Sequence, residues 1–355
     1  MTDHDPALQA LVDRVQAARA DRTPLHIRGG GSKAFYGEPA QGEAFDVTAL
    51  RGISSYEPTE LVVTARCGTP LAELEAVLAE RGQCLPFEPP HFGGGTTVGG
   101  MVAAGLAGPA RAAVGGVREH LLGATLLSGR GEVLSFGGQV MKNVAGYDVS
   151  RLMAGAMGTL GLLLEVSLKV LPKPPAEATL RLALPQDRAI EALNRWGGQP
   201  LPLSATCWSG GALTVRLSGA RAAVAAARGK IGGEGVNDAE AFWRGVREQQ
   251  MDFFSGASAL WRISLPSTTA PLALPGGQLV EWGGALRWLK SDMPAAQVRE
   301  AAVQAGGHAT LFRGGDRTGG VFQPLPAPLM AIHKNLKRSF DPQGLFNPGR
   351  LYPEL

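Results

Sequence analysis

Two stretches of this chain are nearly bare of side chains: IRGGGSKAFYG at 27–37 and HFGGGTTVGG at 91–100. The second runs on into MVAAGLAG, so residues 92–108 hold seven glycines and no charge. Every glycine adds unfolded-state freedom that folding must remove, so clusters like these need a reason. Consecutive glycines can turn their N–H groups to one side, making a concave nest that suits an anion such as phosphate. Thr96 and Thr97 add hydroxyl donors to the second loop, and a helix opening just beyond them adds its dipole. Two such loops, about sixty residues apart, suit a pyrophosphate held from two sides. Tight turns and close packing would explain one triplet. Two triplets, with flanking hydroxyls and no local charge, point to a ligand.

The familiar nucleotide signatures are missing. The only Gly-Lys pair, Gly229-Lys230, is followed by Ile231 inside a helical pattern, so there is no GxxxxGK(S/T) loop. GAMGTLG at 155–161 does not have the Rossmann spacing. A nucleotide would have to be held in some other way.

The remaining pattern supplies a two-part frame. Leu8, Leu11, Val12 and Val15 line one face of an opening helix, with Asp5 as N-cap and Pro6 in its first turn. PLHIRG reads as a strand running into the first glycine loop. ELVVTARCG reads as a buried strand, and PLAELEAVLAERG as a helix with Leu71, Leu74 and Leu78 inward. LLGATLLSGRGEVLSFGG is a hairpin, GYDVSRLMAG a short helix and GTLGLLLEVSLKVLP a buried strand. Pro172, Pro174 and Pro175 mark a boundary. Beyond it, strands and helices alternate as in an α+β sandwich, down to a helix stopped at Asp341-Pro342 and an extended tail. The expected domains are 1–175, 176–330 and a tail segment, 331–355.

Composition excludes several functions. A formal charge of +3 with no Lys/Arg block offers little to a nucleic acid. Cys67, Cys84 and Cys207 have no CxxC spacing, which gives neither a disulfide framework nor ligands for zinc or an iron–sulfur cluster. No metal is expected. The acidic, amphipathic N-terminus is not a signal peptide, and no apolar run reaches membrane-spanning length. We expect a cytoplasmic protein with at most peripheral membrane contact.

In order along the chain, PLHIRGGGSKAFYG, GGGTTVGGMVAAGLAGPAR, LSGRGEVLSFGG and NVAGYDVSRLMAGAMGTLGLLLEVSLKV resemble the FAD-binding domain of the vanillyl-alcohol-oxidase-type (PCMH-type) flavoproteins. FDPQGLFNPGRL resembles the tail that returns to the flavin domain in hydroxy-acid-oxidising members. LPFEPPHFGGGTTVGGMVAAGLAGPAR together with FGGQVMKNVAGYDVSRLMAG narrows the match to the FAD-binding subunits of bacterial glycolate oxidase. The likeness is strong over 20–175 and 333–352 and weak between them. It implies an α+β fold: a PCMH-type FAD domain of two α+β subdomains, a smaller α+β sandwich as cap, and a tail packing back on the FAD domain.

The resemblance also implies roles. Arg28, Gly29, Gly30, Gly31 and Ser32 form the first diphosphate loop, and Gly94, Gly95, Thr96, Thr97, Gly99 and Gly100 the second. Side chains in these loops would push the diphosphate away. Gly161, Leu162, Leu163 and Leu164 border the adenine, and Asn347 and Arg350 belong to a segment near the flavin ring. Members with covalent flavin attach it through a histidine in the first loop. Ser32 stands at that position, so non-covalent FAD is implied. Hydroxy-acid-oxidising relatives carry a histidine cluster in the second domain, for a metal or for the substrate proton. The six histidines here, His4, His26, His91, His120, His308 and His333, form no such spacing. The remaining candidate base is His308, with Arg262 or Arg313 to hold a carboxylate.

The implied function is a flavoprotein subunit of a complex oxidising glycolate to glyoxylate, beside a second flavin subunit and an iron–sulfur subunit. Without a complete histidine cluster its flavin would pass electrons on. The alternatives are a self-sufficient FAD-dependent dehydrogenase of a small 2-hydroxy acid, glycolate or D-lactate, and a non-catalytic interaction protein of the same fold.

Overall fold

The structure, a computed structural model, describes residues 5–138 and 148–355. Part of FGGQVMKNVAGYDVSRLMAG therefore lies outside the described residues. Its remainder contains the short helix Val149–Leu152, capped by Asp148, whose carboxylate accepts from the N–H of Arg151.

The first part of the chain is built on a five-stranded antiparallel sheet. Its order is Ile53–Glu57, Val62–Arg66, Leu162–Lys169, Leu121–Leu127 and Val133–Gly137. Val62–Arg66 and Leu162–Lys169 are the near-continuous apolar runs, and both lie inside the sheet. The helix Leu71–Glu80 lays Leu71, Leu74 and Leu78 on this sheet, all fully buried. Each contributes about 2 kcal/mol by burial.

A smaller layer sits beside it. The strand Leu25–Arg28 pairs in parallel with Glu43–Asp46. On its other side the tail completes it: the N–H of Leu25 donates to Leu345 O (2.7 Å) and the N–H of Asn347 to Leu25 O (2.9 Å). The opening helix Pro6–Asp21 covers this layer with Leu11, Val15 and Ala18, capped by Asp5 as expected.

After Lys173 the chain enters an eight-stranded antiparallel sheet. Its order is Glu234–Gly235, Ala176–Ala183, Ala212–Gly219, Leu203–Ser209, Gly277–Glu281, Leu286–Lys290, Leu260–Ser264 and His308–Arg313. The helices Gln186–Gly197, Arg221–Ile231 and Ala295–Gln304 cover one face. The other face presses on the first part through a shared core of Tyr36, Ala104, Leu106 and Met157 against Phe254, Trp282, Trp288 and Phe312. Trp282 reinforces the contact by donating its Nε1–H to Gly108 O at 3.0 Å.

Several elements escaped the sequence reading, among them the strands Glu43–Asp46 and Ile53–Glu57, the helix Ala295–Gln304 and the strand His308–Arg313. Glycine pairs at 306–307 and 314–315 bracket His308–Arg313 and disguise it as a loop. Its inward residues Ala309 and Leu311 nonetheless alternate as a half-buried strand requires. Among the described residues, no helix is long and apolar enough to cross a membrane.

Candidate cofactor-binding site

The two glycine loops meet. Thr96 Oγ1 donates to His91 O (2.7 Å), so the 2.7 Å contact between Ser32 and Thr96 has Ser32 as donor. Thr97 caps the short helix Val98–Ala104, its Oγ1 accepting from the N–H of Gly100 at 3.1 Å. The approach is so close that several glycines are compulsory. A Cβ on Gly30 would stand 1.4 Å from Gly95 O, one on Gly29 2.5 Å from Thr97 Oγ1, and one on Gly99 2.6 Å from Cys67 Cβ. Here the sequence expectation needs correcting: at these three positions it is the protein's own atoms that forbid a side chain. At Gly94, by contrast, a Cβ would meet nothing within 4 Å.

Below the loops lies a cavity of about 350 Å³, within the range of small-molecule sites. Of the residues assigned to the cofactor, Arg28, Gly29, Gly30, Gly31, Ser32, Thr96, Thr97, Gly99, Gly100, Gly161, Leu162, Leu163 and Asn347 line it. Gly94 and Gly95, in the second loop, do not line it, and the Leu164 side chain is fully buried in the core under the opening helix. Among the described residues the N–H groups of Gly30, Gly31, Ser32 and Lys33, and those of Gly94, Gly95 and Thr96, have no protein acceptor. Open amides with a cation beside them form a donor set that fits a dinucleotide diphosphate.

Sequence reading missed Lys33, Cys67 and Met157 on the cavity wall. Burial pushes the Cys67 thiol far up, so it is an inert surface. Lys33 Nζ lies 3.3 Å from Ser32 Oγ and 3.4 Å from both Thr96 Oγ1 and His91 O. Its neighbours in the glycine loop were the available signal.

The tail builds the opposite wall. Asn347 Oδ1 accepts from the N–H of Ile27 (2.7 Å), and its Nδ2 donates to Met157 O (2.6 Å). It therefore ties the first strand to the 157–161 segment. Gly158 must be bare, since a Cβ there would stand 2.6 Å from Asn347 Nδ2. Arg350, also on the wall, donates to the carbonyls of Ala34, Tyr36 and Glu38, while Arg317 takes those of Phe35 and Gly37. Lys337 holds the tail from beneath through Asp341 Oδ2 (2.7 Å), Thr159 O (2.8 Å) and Phe346 O (2.7 Å).

Arg262, His308 and Arg313 lie on the cap side, and none of them lines the cavity. Arg262 sits over the Trp282 ring at 5.2 Å, with Glu281 and Tyr36 in electrostatic reach. Burial lowers its pKa and pushes the Glu281 carboxyl up to about 7, although the Trp288 Nε1–H (2.7 Å) and Arg262 both favour the charged form. His308 lies opposite Ser264, two pairs along from Arg262 opposite Thr310. Burial, then Arg262, lowers its pKa. Arg313 stacks on Phe35 at 4.6 Å instead of joining the other two. Among the described residues no cluster of acids, histidines or cysteines could hold a metal.

Comparison with known proteins agrees with this layout. Residues 7–137 match the model of a family described as an FAD binding domain. The chain is 53% identical to glycolate oxidase subunit GlcE of Escherichia coli over 347 residues, covering 98% of each protein. It is 29% identical to a D-2-hydroxyglutarate dehydrogenase of Xanthomonas citri over 50% of this chain and 39% of that protein. Among solved structures, an alkyldihydroxyacetonephosphate synthase superposes with a TM-score of 0.65 at 14% identity, over 96% of this chain and 74% of that one. That likeness speaks to the fold.

Proposed function

The chain belongs to the family of glycolate oxidase subunit GlcE, and on that premise we propose that it serves as the FAD-binding subunit of a complex oxidising glycolate to glyoxylate. The observation that carries this is the meeting of two glycine loops, joined through Ser32 and Thr96, over a cavity edged with open amides. When bound, the cofactor supplies an acceptor of two electrons.

The chain's own residues do the rest. The open amides of Gly30, Gly31, Ser32 and Thr96 hold the diphosphate, Gly29, Gly99 and Gly100 let the two loops close around it, and Gly161, Leu162 and Leu163 border the adenine. Asn347, with its amide already committed to Ile27 and Met157, positions the wall and leaves the ring's recognition to its neighbours. Tyr36, Met157, Phe312 and Trp288 keep water out on the cap side. With Ser32 in the loop the cofactor is held non-covalently. Arg262, His308 and Arg313 stand off the cavity, which favours a relay of electrons to a second flavin subunit and an iron–sulfur subunit over direct attack on the hydroxy acid. We place the chain in the cytoplasm, reaching the membrane only through those partners.

The test is an absorption spectrum of the purified chain before and after acid precipitation, followed by anaerobic glycolate. Flavin bands released to the supernatant support non-covalent FAD, and a colourless protein that cannot be reconstituted refutes the reading. Bleaching by glycolate alone would make the chain a dehydrogenase in its own right. Bands that bleach only with the partner subunits present identify the relay.

A further inference from the structure

Three strongly basic side chains line the cavity: Arg28, Lys33 and Arg350. Arg350 is spent on three backbone carbonyls. Arg28 lies exposed along Gly31, at the rim. Lys33 differs from both. It is set inside the junction of the two loops, in reach of three neutral oxygens, and it forms no ion pair among the described residues. The acid that acts on it, Glu248, is committed to Arg247 (2.8 Å) and to the N–H groups of His91 and Phe92. A cation withdrawn from water without a counter-ion is costly unless something brings one.

Resting on the cofactor reading above, we infer that Lys33 is the cation that meets the diphosphate of the bound dinucleotide. Its contacts with Ser32 Oγ and Thr96 Oγ1 place it where the two loops close. No backbone amide there can supply a full charge.

A pH dependence follows. Burial pushes the Lys33 ammonium down to about 8, with Glu248 opposing. Other charges around it are Arg313, which shares the Phe92 ring (5.7 Å against 5.8 Å for Lys33), the His91–Glu75 pair behind the loop, and Arg28 across it. A diphosphate raises the Lys33 pKa, so the bound state holds the proton more tightly than the free state. Affinity is then greatest below about pH 8, and falls as pH rises from there towards the higher pKa of the bound state.

The test titrates the apo full-length chain with FAD, and separately with riboflavin, which carries no phosphate. Flavin fluorescence is followed between about pH 6.5 and 10, a range that brackets the free and bound lysine. We expect Lys33→Met to weaken FAD about tenfold or more at pH 7, to leave riboflavin unchanged and to remove the fall above pH 8. Lys33→Arg should keep most of the affinity and shift that fall beyond the range. Apo Lys33→Met should melt no lower than the parent, because it loses a buried charge with no counter-ion. Unchanged FAD affinity in Lys33→Met would overturn the inference, as would equal losses for FAD and riboflavin. If Lys33→Met fails to fold, the parent and Lys33→Arg pH profiles decide: identical profiles overturn it. A parent chain that takes up no FAD at all refutes the cofactor reading instead, and is told apart by that result.

Discussion

Arg317 and Arg350 divide five consecutive carbonyls between them: Arg350 takes Ala34, Tyr36 and Glu38, and Arg317 takes Phe35 and Gly37. The segment after the first glycine loop has no ladder of its own, so its backbone acceptors must be met from elsewhere. One arginine comes from beyond the cap's last strand and the other from the tail. Three distant parts of the sequence thus hold one wall of the cavity.

Arg350→Leu should therefore strip two buried acceptors, on Tyr36 and Glu38, and a half-buried one, on Ala34, of their donors. At about 1–3 kcal/mol for each buried group left unsatisfied, the loss should reach at least about 2 kcal/mol, with little flavin retained. Arg317→Leu, which affects two carbonyls, should cost about half as much. Urea unfolding and the flavin-to-protein absorbance ratio check both. Equal costs would mean that the two arginines do not act separately.

Gly30→Ala should abolish flavin retention, because its Cβ would fall 1.4 Å from Gly95 O, where backbone faces backbone. Gly94→Ala should leave flavin content and melting temperature near the parent's, since the added methyl meets open space. Sequence alone would rank the two alike. Purified flavin stoichiometry separates them.

Lys337 and Asp341 form a buried pair at 2.7 Å, and Asp341 also accepts from the N–H groups of Leu345 and Phe346. Asp341→Ala leaves an ammonium buried without its partner, at a cost of about 3–5 kcal/mol. It should also release the tail, visible as faster amide exchange at residues 345–347. Stability loss without increased exchange there would show that the pair does not hold the tail.

Glu281 fixes a sign for pH. Its folded-state pKa is raised to about 7 from an ordinary value near 4.5, so between those values the folded chain holds a proton that the unfolded chain has released. Stability from this group is present below about pH 4.5, falls as pH rises towards 7 and is flat above, by about 3 kcal/mol in all. Glu281→Gln keeps an acceptor for Trp288 and should flatten that stretch of the stability–pH curve. A slope unchanged by the substitution would assign it to another group.

The two loops were legible because glycine, threonine and serine leave few other reasons to occur together, and the likeness of Asn347 to a flavin-domain tail was legible from FNPGR. The reason for bareness was not. Gly29, Gly30 and Gly99 owe it to atoms far away in sequence, which no local pattern encodes. Lys33 was passed over because a lone lysine beside glycines reads as surface, and only the loop-on-loop geometry withdraws it from water. The strand His308–Arg313 hid behind its flanking glycines, and with it the fact that His308 and Arg313 stand off the cavity and apart from each other.

The pairing of Leu25 with the tail sets a schedule for biosynthesis. The N–H of Ile27 waits for Asn347, a partner 320 positions later. At a ribosomal rate of about 5–20 residues per second, that interval is on the order of half a minute. Throughout it the nascent first strand has one unsatisfied edge and the cavity lacks the wall that the tail supplies. The cofactor's cavity is thus complete only once translation has passed the tail, and a chain stalled within its cap has no finished wall to close on FAD.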